Sequence, residues 1–161
     1  MIFSPHIIIG AAIGAKTQNL GLIIILGLLS HFILDKIPHW DYSIKGIKNF
    51  RETKNFKTLI INLIKIAVDG LIGLLIIFLI LWQKKLLDFS HLPFILLGVF
   101  ISILPDILWG LSGFINSNFL DAFTKLHDRI HFQKQKEGTI TFLGFFTQIV
   151  LILIAMSFFF F

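Results

Sequence analysis

Two histidines and two aspartates lie close together at the end of an apolar segment, at positions His31, Asp35, His39 and Asp41. If the apolar segment is helical, His31 and Asp35 lie one turn apart on one face, a spacing that directs two ligands at one metal ion. Pro38 ends such a helix, so the chain can fold back and bring His39 and Asp41 toward the same point from a turn. This segment therefore predicts a metal site.

A second pair of histidines, His127 and His131, lies in a segment that mixes apolar and charged residues. In a helix the two imidazoles share a face, as they do in many zinc sites, while Asp128 and Arg129 point elsewhere. Histidines on a basic amphipathic helix can also contact lipid headgroups. The presence of two His/Asp groups in one short chain favours metal ligands.

Three further polar residues are candidate ligands, each with a structural alternative. Asp69 lies in an apolar segment, where a carboxylate costs at least about 2.5 kcal/mol, so we predict a ligand or an ion pair with Lys65 one turn earlier. Asp106 is either a ligand or the cap of a helix that begins after Pro105. His6 is either a ligand or the cap of the first helix.

The composition is that of a membrane protein. Hydrophobic residues make up 56% of the 161-residue chain and charged residues 14%, against about 25% charged residues in a typical soluble domain. With a mean hydropathy of +0.89, these values predict an all-α, multi-pass transmembrane helical bundle, a single integral-membrane domain over residues 1–161. The chain has no cysteine, so imidazole and carboxylate would hold a divalent metal, which suits zinc, iron or manganese. We expect no nucleic-acid partner.

Apolar segments predict six helices, near residues 5–15, 20–36, 58–83, 92–115, 118–134 and 139–161. The helix near 118–134 is amphipathic and typical of a membrane surface, which leaves about four or five membrane helices. The first two are short for a full span, so they form either a tilted hairpin or a re-entrant element. Pro105 should kink or end the fourth helix. Residues 1–15 have no Lys or Arg before their apolar part, so we expect them not to be a cleaved signal peptide.

Lysine and arginine concentrate in two predicted loops. The 36–57 loop and the 116–138 loop carry ten of these residues, against Lys84 and Lys85 in the link between them. The ten are Lys36, Lys45, Lys48, Arg51, Lys54, Lys57, Lys125, Arg129, Lys134 and Lys136. This asymmetry predicts that both loops are cytoplasmic. The candidate ligands then lie at the cytoplasmic face of the cell (inner) membrane, and the basic loops can bind anionic lipid headgroups.

Several of these motifs resemble those of a bacterial family of inner-membrane proteins, the membrane-bound metal-dependent hydrolases. The motifs are His6, the cluster at 31–41, Leu104-Pro105-Asp106-Ile107 and the late histidine pair. That family typically has Leu-Pro-Asp-x-Asp and His-Arg-Gly-x-Thr-His elements. Here position 108 is Leu, and the late element is His127-Asp128-Arg129-Ile130-His131. The resemblance implies a membrane-embedded hydrolase with a divalent metal.

A weaker similarity is to the zinc phospholipase C and S1-type nuclease fold, an all-helical scaffold whose His and Asp ligands hold a metal cluster that attacks phosphodiesters. The candidate ligands here suit two ions better than one: His6, His31, Asp35, His39, Asp69, Asp106, His127 and His131. One zinc ion would lower the pKa of a bound water toward about 7 while its neighbour stabilises charge on the phosphoryl group. Asp41 is the predicted catalytic residue, orienting that water or accepting its proton.

We therefore predict hydrolysis of a phosphoester in a membrane lipid or a polyprenyl phosphate. The alternative is a small non-enzymatic transporter or metal-ion carrier, in which Asp69 and Asp106 form a transit site with nearby histidines. A conduit needs ligands distributed through the bilayer, whereas the candidates here lie on one side, which favours the hydrolase. A third possibility is an adaptor whose basic loops bind lipid or a partner without chemistry.

Overall fold

The computed structural model describes residues 1–132 and 142–159. Helices make up 79% of the structure, with no strand among the described residues, which confirms the predicted all-α class. Eight helices occur in these ranges: α1 (Phe3–Thr17), α2 (Leu20–Lys36), α3 (Lys45–Lys48), α4 (Phe50–Thr53), α5 (Phe56–Lys84), α6 (Leu92–Leu111), α7 (Asn118–Ile130) and α8 (Phe142–Ser157). Lys134, Lys136 and the predicted start of the last helix at 139 lie outside the described residues.

α2 has the bounds that the sequence predicts. At its start, the Asn19 side chain accepts a hydrogen bond from the Leu22 N–H at 3.1 Å, which satisfies one of the free amides of the first turn. The helix ends at Lys36, because the residue before a proline avoids the helical conformation and Pro38 cannot continue the hydrogen-bond ladder. The chain therefore leaves α2 directly after Asp35, as the metal-site prediction requires.

The segment between α2 and α5 contains two short helices, α3 and α4, that the sequence did not predict. Asn62 of α5 anchors this segment: its amide oxygen accepts a hydrogen bond from Gly46 N–H at 2.7 Å, and its amide nitrogen donates to the Ser43 carbonyl at 3.1 Å. Both contacts satisfy backbone groups that would otherwise be unpaired at the ends of a very short helix. A polar residue in the long apolar helix thus holds the segment that follows His39 and Asp41.

α6 continues through Pro105 and ends at Leu111, so the helix neither ends at this proline nor reaches residue 115. Pro105 removes one N–H donor from the helical ladder, but it is fully buried. Packing of α6 against α1 and α2 supports the helix there, as neighbouring helices do for prolines inside membrane helices. Asp106 therefore lies inside a continuous helix and is not the cap of a new one.

α1 is the central helix of the bundle and packs against α2, α5, α6 and α8. Its contact with α6 is unusually close: a Cβ added at Gly98 would lie 2.1 Å from the Gly10 carbonyl oxygen, and one at Gly14 would lie 2.2 Å from the Phe94 carbonyl oxygen. Small residues one turn apart permit such backbone contact between apolar helices. Ile8 and Ala11, both fully buried, fill the core beside this contact.

Among the helices of the described residues, α5 and α6 are long and apolar enough to cross a membrane. In the most apolar 18-residue segment of each helix, only 22% of α5 and 33% of α6 is buried inside the protein. Both helices therefore present apolar surface outward, which fits membrane association. The sequence analysis expected four or five spans. The described helices do not support that number, because α1, α2 and α8 have 15, 17 and 16 residues and α1 is mostly buried by other helices.

Candidate metal centre

Four side chains from three helices meet in the protein interior and form the first ligand group: His31 and Asp35 of α2, Asp106 of α6 and His127 of α7. One ligand atom from each lies within 4.8 Å of the others. His31 is fully buried, Asp35 is 1% exposed and His127 is 4% exposed. The i, i+4 spacing of the α2 pair, which the sequence predicts, is what places its two side chains on the same face.

The distances in the first ligand group match those between the ligands of a tetrahedral zinc ion. Asp35 Oδ2 lies 3.1 Å from His31 Nε2 and 3.3 Å from His127 Nε2, and the two nitrogens are 3.2 Å apart. Asp106 Oδ1 lies 3.4 Å from His127 Nε2 and 3.8 Å from His31 Nε2. A tetrahedron with metal–ligand bonds of about 2.0–2.1 Å has edges of about 3.3–3.4 Å. The five distances given are close to these edges, so the group suits one ion of that size.

The orientation of His31 is set by a neighbouring backbone group. Its Nδ1 lies 2.8 Å from the carbonyl oxygen of Ser102 on α6, so Nδ1 carries the proton and donates it. Nε2 is then unprotonated and faces the other ligands. This arrangement, in which a ligating histidine donates its second nitrogen to a carbonyl, fixes the tautomer in many metal sites. His39 has the same arrangement, with Nδ1 2.7 Å from the Ile37 carbonyl oxygen.

A second ligand group consists of Asp35, His39 and His131. The two carboxylate oxygens of Asp35 face different groups: Oδ2 faces His31 and His127, whereas Oδ1 faces His6 at 3.3 Å and His131 at 3.9 Å. The rings of His39 and His131 are 4.7 Å apart. Asp35 is therefore shared by both ligand groups, as a carboxylate that bridges two ions would be.

Backbone and side-chain contacts from other elements hold the second ligand group in place. The N–H of Phe132, which follows His131, donates to the Asp35 carbonyl at 2.8 Å. On the other side, Thr147 of α8 donates to the Pro38 carbonyl and Gln148 donates to the Trp40 carbonyl at 2.7 Å. The polar residues of α8 thus position the turn that carries His39.

The amino group of Met1 lies beside the second ligand group. Its nitrogen is 2.8 Å from Asp35 Oδ1, 3.1 Å from His131 Nε2 and 3.7 Å from Asp41 Oδ2. Burial disfavours the charged amine, but the carboxylates of Asp35 and Asp41 outweigh it and raise its pKa to about 10. Asp41 Oδ2 also lies 3.7 Å from His131 Nε2. The structure therefore places a positive charge among these carboxylates and imidazoles, which is the charge that such a set favours.

His6 lies over the first ligand group. Its ring stacks on His31 with 4.4 Å between centroids, and its Nε2 is 3.3 Å from Asp35 Oδ1. The ring is fully buried, and neither of its nitrogens forms a hydrogen bond. Ser102 brings it there, because the Ser102 hydroxyl donates to the His6 carbonyl at 2.7 Å. His6 is not a helix cap, since it lies inside α1.

Asp35 Oδ2 is a ligand atom of the first group that is buried without a hydrogen bond. It lies 3.1 Å from His31 Nε2 and 3.3 Å from His127 Nε2 but bonds to neither of them. Both His6 nitrogens, Asp106 Oδ2 and His127 Nδ1 are also buried and unpaired nearby. Buried polar groups of native proteins almost always have a partner, because an unpaired one costs free energy. A cation beside Asp35 Oδ2 would satisfy that oxygen.

The histidines outside the apolar helices differ in charge. Burial opposes protonation of His127, but the carboxylates of Asp106 and Asp35 outweigh it and raise its pKa to about 9. Burial, together with the Met1 amine, lowers the pKa of His131 to about 4 and that of His39 to about 3. At neutral pH, His39 and His131 are therefore neutral and able to bind a metal, whereas His127 must first lose a proton.

Asp69 lies away from both ligand groups, so we assign it a structural position instead of a place among the predicted ligands. Its carboxylate accepts hydrogen bonds from the backbone N–H groups of Phe3 and Ser4, from the Ser4 hydroxyl and from the Tyr42 hydroxyl at 3.2 Å. It thus caps the start of α1 from α5. The alternative partner, Lys65, is exposed and forms no ion pair with Asp69 in the described part of the chain.

A cavity of about 300 Å³ opens beside the ligands. His39, Asp41, Asp106, His127 and His131 are among the residues that line it. Tyr42, Lys48, Trp109 and Asp128 also line it, together with apolar residues such as Ile44 and Ile66. No spacing pattern in the sequence marks Ser102, since its role depends on how α6 crosses α1 and α2.

Comparisons of the chain with protein-family models, with curated proteins and with solved structures found no match.

Proposed function

We propose that the protein is a membrane-embedded, metal-dependent hydrolase that cleaves a phosphoester bond in a lipid or a polyprenyl phosphate. The observation that carries this proposal is the first ligand group, whose interatomic distances of 3.1–3.8 Å suit one tetrahedral ion. Tetrahedral geometry with nitrogen and oxygen ligands favours zinc over magnesium or manganese, which prefer octahedral oxygen sites.

A second ion is proposed at Asp35, His39 and His131. Asp35 offers one oxygen to each group, and His6 lies close enough to complete the second set once the Met1 ammonium, 2.8 Å from Asp35 Oδ1, moves aside. Pairs of metal ions bridged by a carboxylate are suited to phosphoester cleavage, because they contact both the attacking and the leaving oxygen.

The proposed chemistry follows from the cavity. When bound, zinc would lower the pKa of a water toward about 7 and offset negative charge on the phosphoryl oxygens. Asp41, which lines the cavity, would accept the proton of the attacking water. The new P–O bond forms as the ester P–O bond breaks, and the leaving oxygen takes up a proton. A phosphomonoester gives an alcohol and inorganic phosphate, and a phosphodiester gives an alcohol and a phosphomonoester.

A lipid substrate is supported by the surroundings of the cavity. Ile66, on the membrane-facing helix α5, forms part of its wall, so an acyl or prenyl chain can lie along α5 while its phosphate reaches the ligands. We place this end of the protein at the cytoplasmic face of the cell membrane, because the lysine-rich segments before α5 and after α6 lie together there. Arg51 N–H donates to the Gly113 carbonyl at 3.0 Å, which joins the two segments.

The one-sided position of the ligands argues against the metal-ion carrier. A conduit would need ligand groups at successive depths, whereas the two groups here adjoin and share Asp35. Asp69, the deeper carboxylate that the carrier hypothesis needs, is occupied by the start of α1. No observation favours the carrier over the hydrolase.

The first experiment measures metal content. Elemental analysis of the purified protein should find zinc, and a His31→Ala, Asp35→Ala double variant should lose it. His91→Ala is the matched control, because His91 lies at the start of α6 beside Asp88, in neither ligand group. Equal zinc in the double variant and the unchanged protein would overturn the site.

The second experiment measures activity. Zinc-loaded protein in mixed micelles should release phosphate from phosphatidate or a polyprenyl phosphate, and EDTA should abolish the release. Asp41→Asn should keep its zinc and lower kcat by about 100-fold or more, the typical contribution of a general base. Zinc-loaded protein that releases no phosphate from either lipid would contradict the hydrolase.

A further inference from the structure

The rim of the cavity carries a cation, Lys48 of α3. Among the described residues, it is the one lysine or arginine that lines the cavity. The nearby wall residues Asp41 and Asp106 bear carboxylates, which repel an anionic substrate unless cations offset them. Lys45 lies on the same short helix but does not line the cavity.

Two residues hold the Lys48 ammonium at this rim. Its nitrogen lies 2.8 Å from Asp128 Oδ2 and 5.2 Å from the centre of the Trp109 ring. Trp109 in turn donates its indole N–H to Asp128 Oδ1 at 2.8 Å. The ion pair is exposed, with Lys48 at 43% and Asp128 at 38%, so water screens it and it can open at little cost. Asp128 follows His127 directly, which places this pair next to a proposed metal ligand.

Resting on the proposed function, we infer that Lys48 binds the phosphoryl oxygens of the substrate, exchanging Asp128 for the incoming phosphate. A lysine ammonium on a flexible stem can make this exchange, since it acts as a mobile point charge. When no substrate is bound, Asp128 keeps the ammonium at the rim. Its carboxylate also repels anions that do not gain a further contact with the metal ions. The substrate class is a phosphoryl group borne on an apolar chain, because the wall beside Lys48 includes Ile44, Ile47 and Ile66.

The test measures binding of inorganic phosphate to the zinc-loaded full chain in detergent by calorimetry. Lys48→Gln should raise the Kd by about tenfold or more, the loss of one charge-assisted hydrogen bond. Lys45→Gln makes the same change of charge on the same helix and should leave the Kd unchanged. Asp128→Asn should leave it unchanged or lower it, because the competing carboxylate is gone.

The direction of the Asp128→Asn effect separates the inference from a purely structural ion pair. If Lys48 and Asp128 only tie α3 to α7, both variants should weaken phosphate binding, and that result would overturn the inference. An unchanged Kd in Lys48→Gln also overturns it but leaves the hydrolase proposal standing. A chain that takes up no zinc overturns both.

A further variant distinguishes a lipid phosphate from a free one. Ile66→Ser should raise the KM for phosphatidate in mixed micelles while leaving the Kd for inorganic phosphate unchanged. If both constants change together, the apolar wall does not select a lipid chain and the substrate class assigned here is wrong.

Discussion

Asp35 is the residue on which the candidate centre depends. It is 1% exposed and its two oxygens face both ligand groups, in a place where an uncompensated carboxylate would be very costly. Without metal, the Met1 ammonium at 2.8 Å and the protonated His127 offset that cost, whereas His39 and His131 are neutral at pH 7. A bound divalent ion would supply further positive charge at Asp35 Oδ2, the oxygen that has no hydrogen bond.

The raised pKa of His127 makes metal uptake release a proton. Without metal, a pKa of about 9 means that His127 is protonated at pH 7.5, and a metal ion must displace that proton to bind Nε2. The apparent zinc affinity should therefore rise with pH until about pH 9. Calorimetry in two buffers of different ionisation enthalpy should show release of about one proton per zinc at pH 7.5.

As the pH is lowered, the second ligand group should take up no proton until about pH 4, where His131 becomes protonated. The control is the same titration above pH 9, where His127 is already neutral and the buffer dependence should vanish. Zinc binding with no buffer dependence at pH 7.5 would contradict the assignment of His127 as a ligand.

Asp69 is expected to stabilise the fold without holding metal. Asp69→Ala removes the acceptor for Phe3, Ser4 and Tyr42 and leaves buried donors unpaired, at a cost of about 1–3 kcal/mol. The midpoint of thermal unfolding in detergent should fall, while zinc per protein stays the same. Lys65→Ala is the control and should change neither. If the Asp69→Ala protein is folded but has lost its zinc, Asp69 is a metal ligand after all and the structural role is wrong.

The sequence predicts a ligand pair best where both residues lie in one helix, as His31 and Asp35 do, because their spacing determines a common face. His131 lies just beyond the end of α7 and joins a different ligand group from His127. Asp69 shows the limit of this reasoning. The cost of a carboxylate in an apolar segment predicts that it has a partner, but not which one, and here the partner is the backbone of α1.

At the scale of helices, the close contact of α1 with α6 sets the position of His6. Gly98→Ala would place a methyl group 2.1 Å from the Gly10 carbonyl oxygen, so the helices must separate, at a cost of about 1–3 kcal/mol. The unfolding midpoint should fall. Zinc content should fall as well, because Ser102, which orients His31, lies one turn further along α6.

Gly70→Ala is the matched control for this contact. It also changes a glycine inside a helix, but the nearest atom to the added methyl group is 4.0 Å away, and alanine favours helix by up to about 1 kcal/mol. That variant should be as stable as the unchanged protein or more so. Equal stability of both variants would show that α1 and α6 are not in backbone contact.

The helices themselves were easier to predict than their surroundings. The bounds of α2 follow from Asn19 and Pro38, whereas α3 and α4 were missed because four-residue helices leave no periodic pattern. The described helices support two candidate spans instead of four or five for a related reason. Hydropathy does not distinguish an apolar helix buried by other helices, such as α1, from one that presents apolar surface outward, such as α5.

At the scale of the whole molecule, the ligands connect elements that are distant in sequence. α2, α6, α7 and the turn before α3 all contribute to the two ligand groups, so metal binding should stabilise the folded state. At a free zinc concentration 100 times the Kd, the gain is about 2.7 kcal/mol. EDTA should lower the unfolding midpoint of the zinc-loaded protein and leave that of the His31→Ala, Asp35→Ala variant unchanged. A midpoint insensitive to EDTA would contradict a structural contribution of the metal.

The orientation of the whole molecule can be measured directly because the chain has no cysteine. Lys45→Cys and Lys125→Cys report on the end that carries the ligands, and Lys84→Cys reports on the far end of α5. If α5 crosses the membrane with the lysine-rich segments in the cytoplasm, a membrane-impermeant maleimide should label only Lys84→Cys in intact spheroplasts. In inverted vesicles it should label the other two instead. Labelling of all three from one side would mean that α5 lies on the membrane without crossing it, and the cavity would then open to the aqueous phase instead of to lipid.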